Sequence, residues 1–150
     1  MSRDAPTGPA GAAMPFWWSV RVYWEDTDAG GIVFYANYLK FMERARTEWL
    51  RSLGLAQSRL QAETGGLFVV SDAQLRFLRP ARLDDRLSVS AQALALGRVS
   101  MTIRQQVVLQ DAPGECGELL CEGTVRVGWV DAATHRPARL PPLIHEALNR

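Results

Sequence analysis

Asp28 stands in the run Glu25-Asp26-Thr27-Asp28-Ala29-Gly30-Gly31-Ile32-Val33-Phe34-Tyr35-Ala36-Asn37-Tyr38, directly ahead of a long amphipathic stretch. A carboxylate can attack a carbonyl carbon or take a proton from water. A diglycine lets backbone come close to a ligand. The first turn of a helix carries N–H groups without intrahelical partners, at the positive end of its dipole. Together these supply a nucleophile or base and a seat for the oxyanion that carbonyl attack creates. Asp28 also fits a plainer role, because a loop aspartate commonly bonds its own backbone. Asp26 reads as a turn or ion-pair residue, and Glu43 falls on the polar face of the following helix.

Other chemistries lack their residues. The chain has no G-x-S-x-G elbow, no H-E-x-x-H, no P-loop and no dinucleotide glycine fingerprint. Its two histidines, His135 and His145, lie in an Arg- and Pro-rich C-terminal stretch and read as surface, which removes Ser-His-Asp and Cys-His schemes. Cys116 and Cys121 are not at zinc-finger spacing and read as reduced structural thiols. No metal site is expected. Seventeen basic residues against 16 acidic ones leave a net charge of +1, so no global field favours nucleic acid. A polyanionic ligand must therefore meet a local group of arginines.

The elements around Asp28 follow from periodicity. Phe16 to Trp24 alternates, with Trp18, Val20, Val22 and Trp24 on one side, which predicts a strand with one buried face. A helix is predicted from Asn37, a good N-cap, to Leu53, ahead of Gly54. At 100° per residue Tyr38, Leu39, Phe41, Met42, Ala45, Trp49, Leu50 and Leu53 form one apolar face. Arg44 and Glu48 are spaced to pair on the surface. Arg46 falls inside the apolar face, either snorkelling to water or paired with Glu25 or Asp26.

Extended runs follow at Leu67 to Leu78, Leu87 to Leu96, a segment around Val99, Met101, Ile103, Val107 and Leu109, and Leu119 to Val130. Gln105 interrupts the third of these. Turns are predicted at Leu83 to Arg86 and Gly97-Arg98, a loop over Asp111 to Gly117, and a short last helix after Pro141. Short connections force the late strands into an antiparallel meander. The expected class is α+β, one bent antiparallel sheet laid around one long helix. Residues 1–15, rich in Ala, Gly and Pro, read as a disordered tail, with residues 16–150 as one domain. The tail has no continuous apolar core, so neither a signal peptide nor a membrane span is expected, and the cytoplasm is the expected location.

The segment from Val22 to Val33, with Ala36-Asn37-Tyr38 and Glu43-Arg44-Ala45-Arg46-Thr47-Glu48-Trp49-Leu50-Arg51, resembles the YbgC-type acyl-CoA thioesterases. These are hotdog-fold proteins related to 4-hydroxybenzoyl-CoA thioesterase. Pro80-Ala81-Arg82-Leu83-Asp84-Asp85 is similar to a second, weaker family segment. The resemblance implies a five-stranded hotdog, joined edge to edge into a homodimer or homotetramer with sites at the interface. It implies hydrolysis of a coenzyme A thioester to free acid and coenzyme A, with no cofactor. Asp28 takes the catalytic place, as nucleophile or general base, and the Tyr35 backbone N–H takes the oxyanion-donor place. Gly30, Gly31 and Asn37 fall in the substrate-binding segment, and Arg98 on a position where relatives carry basic residues for phosphates. Relatives often carry His where this chain has Tyr35, so no imidazole role is carried over.

Two other functions fit the same residues. One is a non-catalytic module binding acyl thioesters or an acyl carrier protein, tied through family association to the Tol–Pal envelope system. The other is a hydratase, which ordinarily needs a histidine near the helix start.

Overall fold

A computed structural model describes residues 14–110 and 117–149. The element order is β1 (Phe16–Arg21), α1 (Asn37–Ser52), α2 (Gln57–Thr64), β2 (Gly66–Phe77), β3 (Arg86–Leu96), β4 (Ser100–Leu109), β5 (Leu119–Asp131) and α3 (Pro142–Leu148). Most of the expected N-terminal tail lies outside the described residues, as do Cys116 and most of the loop expected over 111–117. The five strands form one antiparallel sheet in the order β1-β3-β4-β5-β2, with α1 against it. This is the α+β hotdog arrangement that the sequence implies.

Packing rather than capping holds α1. Its N-cap is Ala36, not Asn37, and no side chain caps the helix. A cap is worth about 1 kcal/mol. Burying one large apolar side chain is worth roughly 1.5–3 kcal/mol, and Tyr38, Phe41, Met42, Trp49 and Leu50 are all buried. They meet Leu87, Val89, Ile103, Val107 and their neighbours on the sheet. Leu39 remains exposed, at the margin of the expected face. Gly54 ends the helix at φ +80°, as its type suggests. Glu48 pairs with Arg51 at 3.1 Å rather than with Arg44.

Three sequence expectations change. β1 stops at Arg21, and Trp24 enters a 3-10 turn (Trp24–Asp26) where it is exposed rather than buried. α2 has no signature in the sequence because it carries only one buried residue, Leu60, and so shows no apolar stripe. The strands do not simply meander: β2 lies at the sheet edge on β5, and β3 returns to sit between β1 and β4. The link from β2 to β3 therefore crosses under the start of α1. Leu78 and Arg79 donate to Leu120 O, and Val33 donates to Ala81 O at 2.9 Å. Ala81 N–H donates to the buried Tyr38 hydroxyl at 3.0 Å. That crossing gives the segment ahead of α1 a floor.

Candidate functional site

The acidic loop folds as a small hairpin. Thr27 bridges Val33, Asp28 N–H donates to Ile32 O, and Phe34 N–H donates to Asp26 O. Asp26 is buried and accepts the Tyr23 N–H at 2.9 Å, so it is the turn residue its position suggests. Asn37 donates its side-chain N–H to Asp26 O at 2.8 Å, tying the start of α1 to the hairpin. Gly31 turns the hairpin at φ +80°, a conformation that costs a side-chain-bearing residue about 1–2 kcal/mol.

Asp28 sits at the exposed tip of this hairpin. Its Oδ1 accepts the Gly30 N–H at 2.8 Å. The turn-capping role is therefore real, and it orients the carboxylate rather than consuming it. Only one oxygen is engaged, and Oδ2 has no protein donor among the described residues. A carboxylate with one oxygen pinned and one open can still act as nucleophile or base.

The amides ahead of α1 divide clearly. Phe34 N–H goes to Asp26 O, Asn37 N–H to Phe34 O, and Tyr38 N–H to Tyr35 O. Among the described residues no acceptor takes the Tyr35 or Ala36 N–H. They lie where the dipole of a buried 16-residue helix begins. Two open donors at this point suit an incoming oxyanion.

Aromatic rings wall the same corner. Tyr35 meets Phe77 edge-on with ring centres 5.9 Å apart, and Phe77 lies 5.6 Å from Tyr38. Phe34 stacks obliquely on Tyr35 at 5.0 Å. Tyr35 and Phe77 stay half or more exposed, so the single chain leaves an apolar wall open to water. Burial pushes the Tyr38 hydroxyl above its ordinary value, against the opposing Ala81 hydrogen bond, so it stays a neutral strut.

Arg98 is not at this corner. It lies in the β3–β4 turn, at the other end of the sheet. A strand the length of β3 separates the two ends, about 33 Å at the usual rise. There Arg98, Arg139, His145 and Glu146 line a cavity of about 670 Å³. Arg76 and Arg79 are paired with Glu122 and Glu118. Glu43 is exposed and accepts the Thr47 hydroxyl, as expected of a solvated residue. Among the described residues no cluster of His, Cys, Asp or Glu could hold a metal ion, and no helix is long and apolar enough to cross a membrane.

Arg46 follows neither expectation. It is buried, and its Nη1 donates to Gln105 Oε1 at 2.9 Å instead of reaching Glu25 or Asp26. Burial pushes its guanidinium below the ordinary value, with the Glu43 charge in partial opposition. Gln105, which looked like an interruption of β4, is fully buried on the helix-facing side. Sequence patterning marks a polar residue in such a place only as an exception.

Comparison with known proteins adds independent findings. The model of a family described as Thioesterase superfamily matches residues 30–116. The chain is 41% identical over 129 residues to the acyl-CoA thioester hydrolase YbgC of Escherichia coli O6:H1, covering 86% of this chain and 92% of that protein. It is 36% identical over 134 residues to the acyl-CoA thioesterase YbgC of Haemophilus influenzae, covering 89% and 94%. Among solved structures, a probable thioesterase from Bartonella henselae superposes with a TM-score of 0.76 at 28% identity, covering 85% of this chain and all of that one.

Proposed function

The chain belongs to the thioesterase superfamily and is a thioester hydrolase, and from that premise we propose that it cleaves acyl-coenzyme A with Asp28 as the reacting carboxylate. The observation that carries this reading is the pair of open amides, Tyr35 and Ala36, at the start of α1, beside a hairpin that presents a half-engaged Asp28. The amides accept the oxygen that becomes negative when the carbonyl is attacked. The aromatic wall of Tyr35, Phe77 and Phe34 receives the acyl group. Asp28 either attacks the carbonyl to form a mixed anhydride, expelling the thiolate, or takes a proton from the attacking water. Single turnover in ¹⁸O water tests the first route: label entering the Asp28 carboxyl group requires water to open an anhydride at the Asp28 carbonyl, which the second route cannot produce.

The site needs a second subunit. β2 is a 12-residue edge strand with Val69, Val70 and Phe77 exposed, a surface that a lone protein would ordinarily blunt. Two-fold pairing along β2 runs the strands antiparallel. It brings the Arg98 end of one subunit beside the Asp28 end of the other. Arg98 of the partner subunit then meets the coenzyme A phosphates, which no single chain could reach from its own thioester corner.

Thiol release from short, long and aromatic acyl-coenzyme A thioesters tests the reading. Turnover is expected with at least one class. Absence of release from all three, with a nonhydrolysable thioester still bound, would replace it with a binding module. In the same assay the Asp28→Asn variant is the control for mechanism.

A further inference from the structure

One buried carboxamide joins α1 to the two strands beneath it. Gln105 has no exposed surface, and three of its hydrogen-bonding capacities are used. Its Oε1 accepts Arg46 Nη1 at 2.9 Å. Its Nε2 donates to Met42 O at 2.9 Å and to Ser90 O at 3.0 Å. Met42 and Arg46 are one helical turn apart, so the carboxamide grips the same face of α1 twice. Between the pairs Val89↔Val107 and Gln92↔Arg104, which share one register, Gln106 N–H donates to Ser90 Oγ at 2.8 Å while Ser90 O accepts from Gln105 Nε2. Every described buried side-chain nitrogen and oxygen has a partner.

Apolar side chains of the two core clusters supply the bulk of the packing between α1 and the sheet, and the start of the helix has two further ties outside the sheet, Ala81 N–H to the Tyr38 hydroxyl and the Asn37 side chain to Asp26 O. Apolar burial is strong but non-directional, and it tolerates small shifts of a rod along its axis. Hydrogen bonds demand distance and angle together. Tyr35 precedes Met42 by seven residues, about 10 Å of helix rise, and a rigid helix transmits any shift at Met42 to its first turn.

We propose that Gln105, together with Arg46, is a positioning residue that fixes the depth and rotation of α1 and so the place of the open Tyr35 and Ala36 amides. This rests on the reading of those amides as oxyanion donors. Misplacement of a reacting group by about 1 Å can cost a hundredfold in rate. A mere core contact, by contrast, would change stability and leave the folded enzyme's rate alone.

The test is the Gln105→Met variant of the full chain, assayed well below its melting temperature. Two readouts are needed: kcat and KM with an acyl-coenzyme A thioester, and amide hydrogen exchange resolved along the chain. The expected result is a kcat at least tenfold lower per folded molecule, KM within about twofold, and faster exchange concentrated over residues 35–46. The double variant with Arg46→Met should be no worse than Gln105→Met alone, since both residues serve one contact. Unchanged kcat, or exchange that rises evenly through the core, overturns the proposal. Should Gln105→Met fail to fold, Arg46→Met alone decides on the same readouts, with a lowered kcat at constant KM in support and an unchanged kcat against. If the unaltered protein hydrolyses no acyl thioester, the hydrolase reading falls, and local exchange over α1 still decides whether Gln105 holds the helix.

Discussion

In the proposed mechanism the two oxygens of Asp28 have different duties. Oδ1 holds the Gly30 amide, and Oδ2 has no protein donor among the described residues. Asparagine keeps the first duty and loses the second. Asp28→Asn should therefore retain its melting temperature while kcat falls at least about a hundredfold, within the usual range for loss of an acid–base group. A variant with full turnover would remove Asp28 from the mechanism. Cys121 makes a separate prediction. Burial, with Glu122 adding to it, pushes its thiol up to about 12. Thiol reactivity needs the thiolate, which forms only as pH rises through that value. Native protein at pH 8 should resist iodoacetamide at Cys121 and take it up only on unfolding. Peptide mass mapping of the alkylated protein reads this directly.

At the scale of elements, the start and end of α1 are held by different devices. The end relies on Gly54 at φ +80°. Alanine there must adopt a left-handed conformation, and Gly54→Ala should cost about 1–2 kcal/mol in urea unfolding. The start has no side-chain cap and depends on Asn37 reaching back to Asp26 O. Asn37→Ala should cost about 1 kcal/mol and lower kcat as well, because the hairpin that presents Asp28 loses its tie to the helix. A stability loss with undiminished kcat would show that the hairpin holds its place unaided. Both effects are local, one touching a turn and the other the site.

Across the whole molecule the decisive feature is the exposed β2 edge. Val70 is 54% exposed on a strand flanked on one side only. Val70→Lys places a charge where a second copy would pair, and should yield a monomer in sedimentation. Turnover should fall with it, because the cavity beside Arg98 and the amides at Tyr35 lie at opposite ends of one chain. An active monomer would contradict the two-subunit site. This prediction is independent of the one at Gln105, which acts inside each subunit.

The sequence alone determined much of this. The apolar face of α1, the turns at Gly97 and Asp84, the extents of β2 and β5, and Pro142 at the start of α3 all follow from local periodicity and backbone preference. The loop with Asp28 was legible because a carboxylate, two glycines and a helix start lie within ten residues of one another. What depended on residues far apart in the chain was not legible. The placement of β2 against β5, the floor that Ala81 makes under Tyr38, and the separation of Arg98 from Asp28 are decisions of tertiary structure. Arg46 and Gln105 make the reason plain. Each looks like an error in its own segment, and only their meeting across 59 positions supplies the hydrogen bond that makes either tolerable in the core.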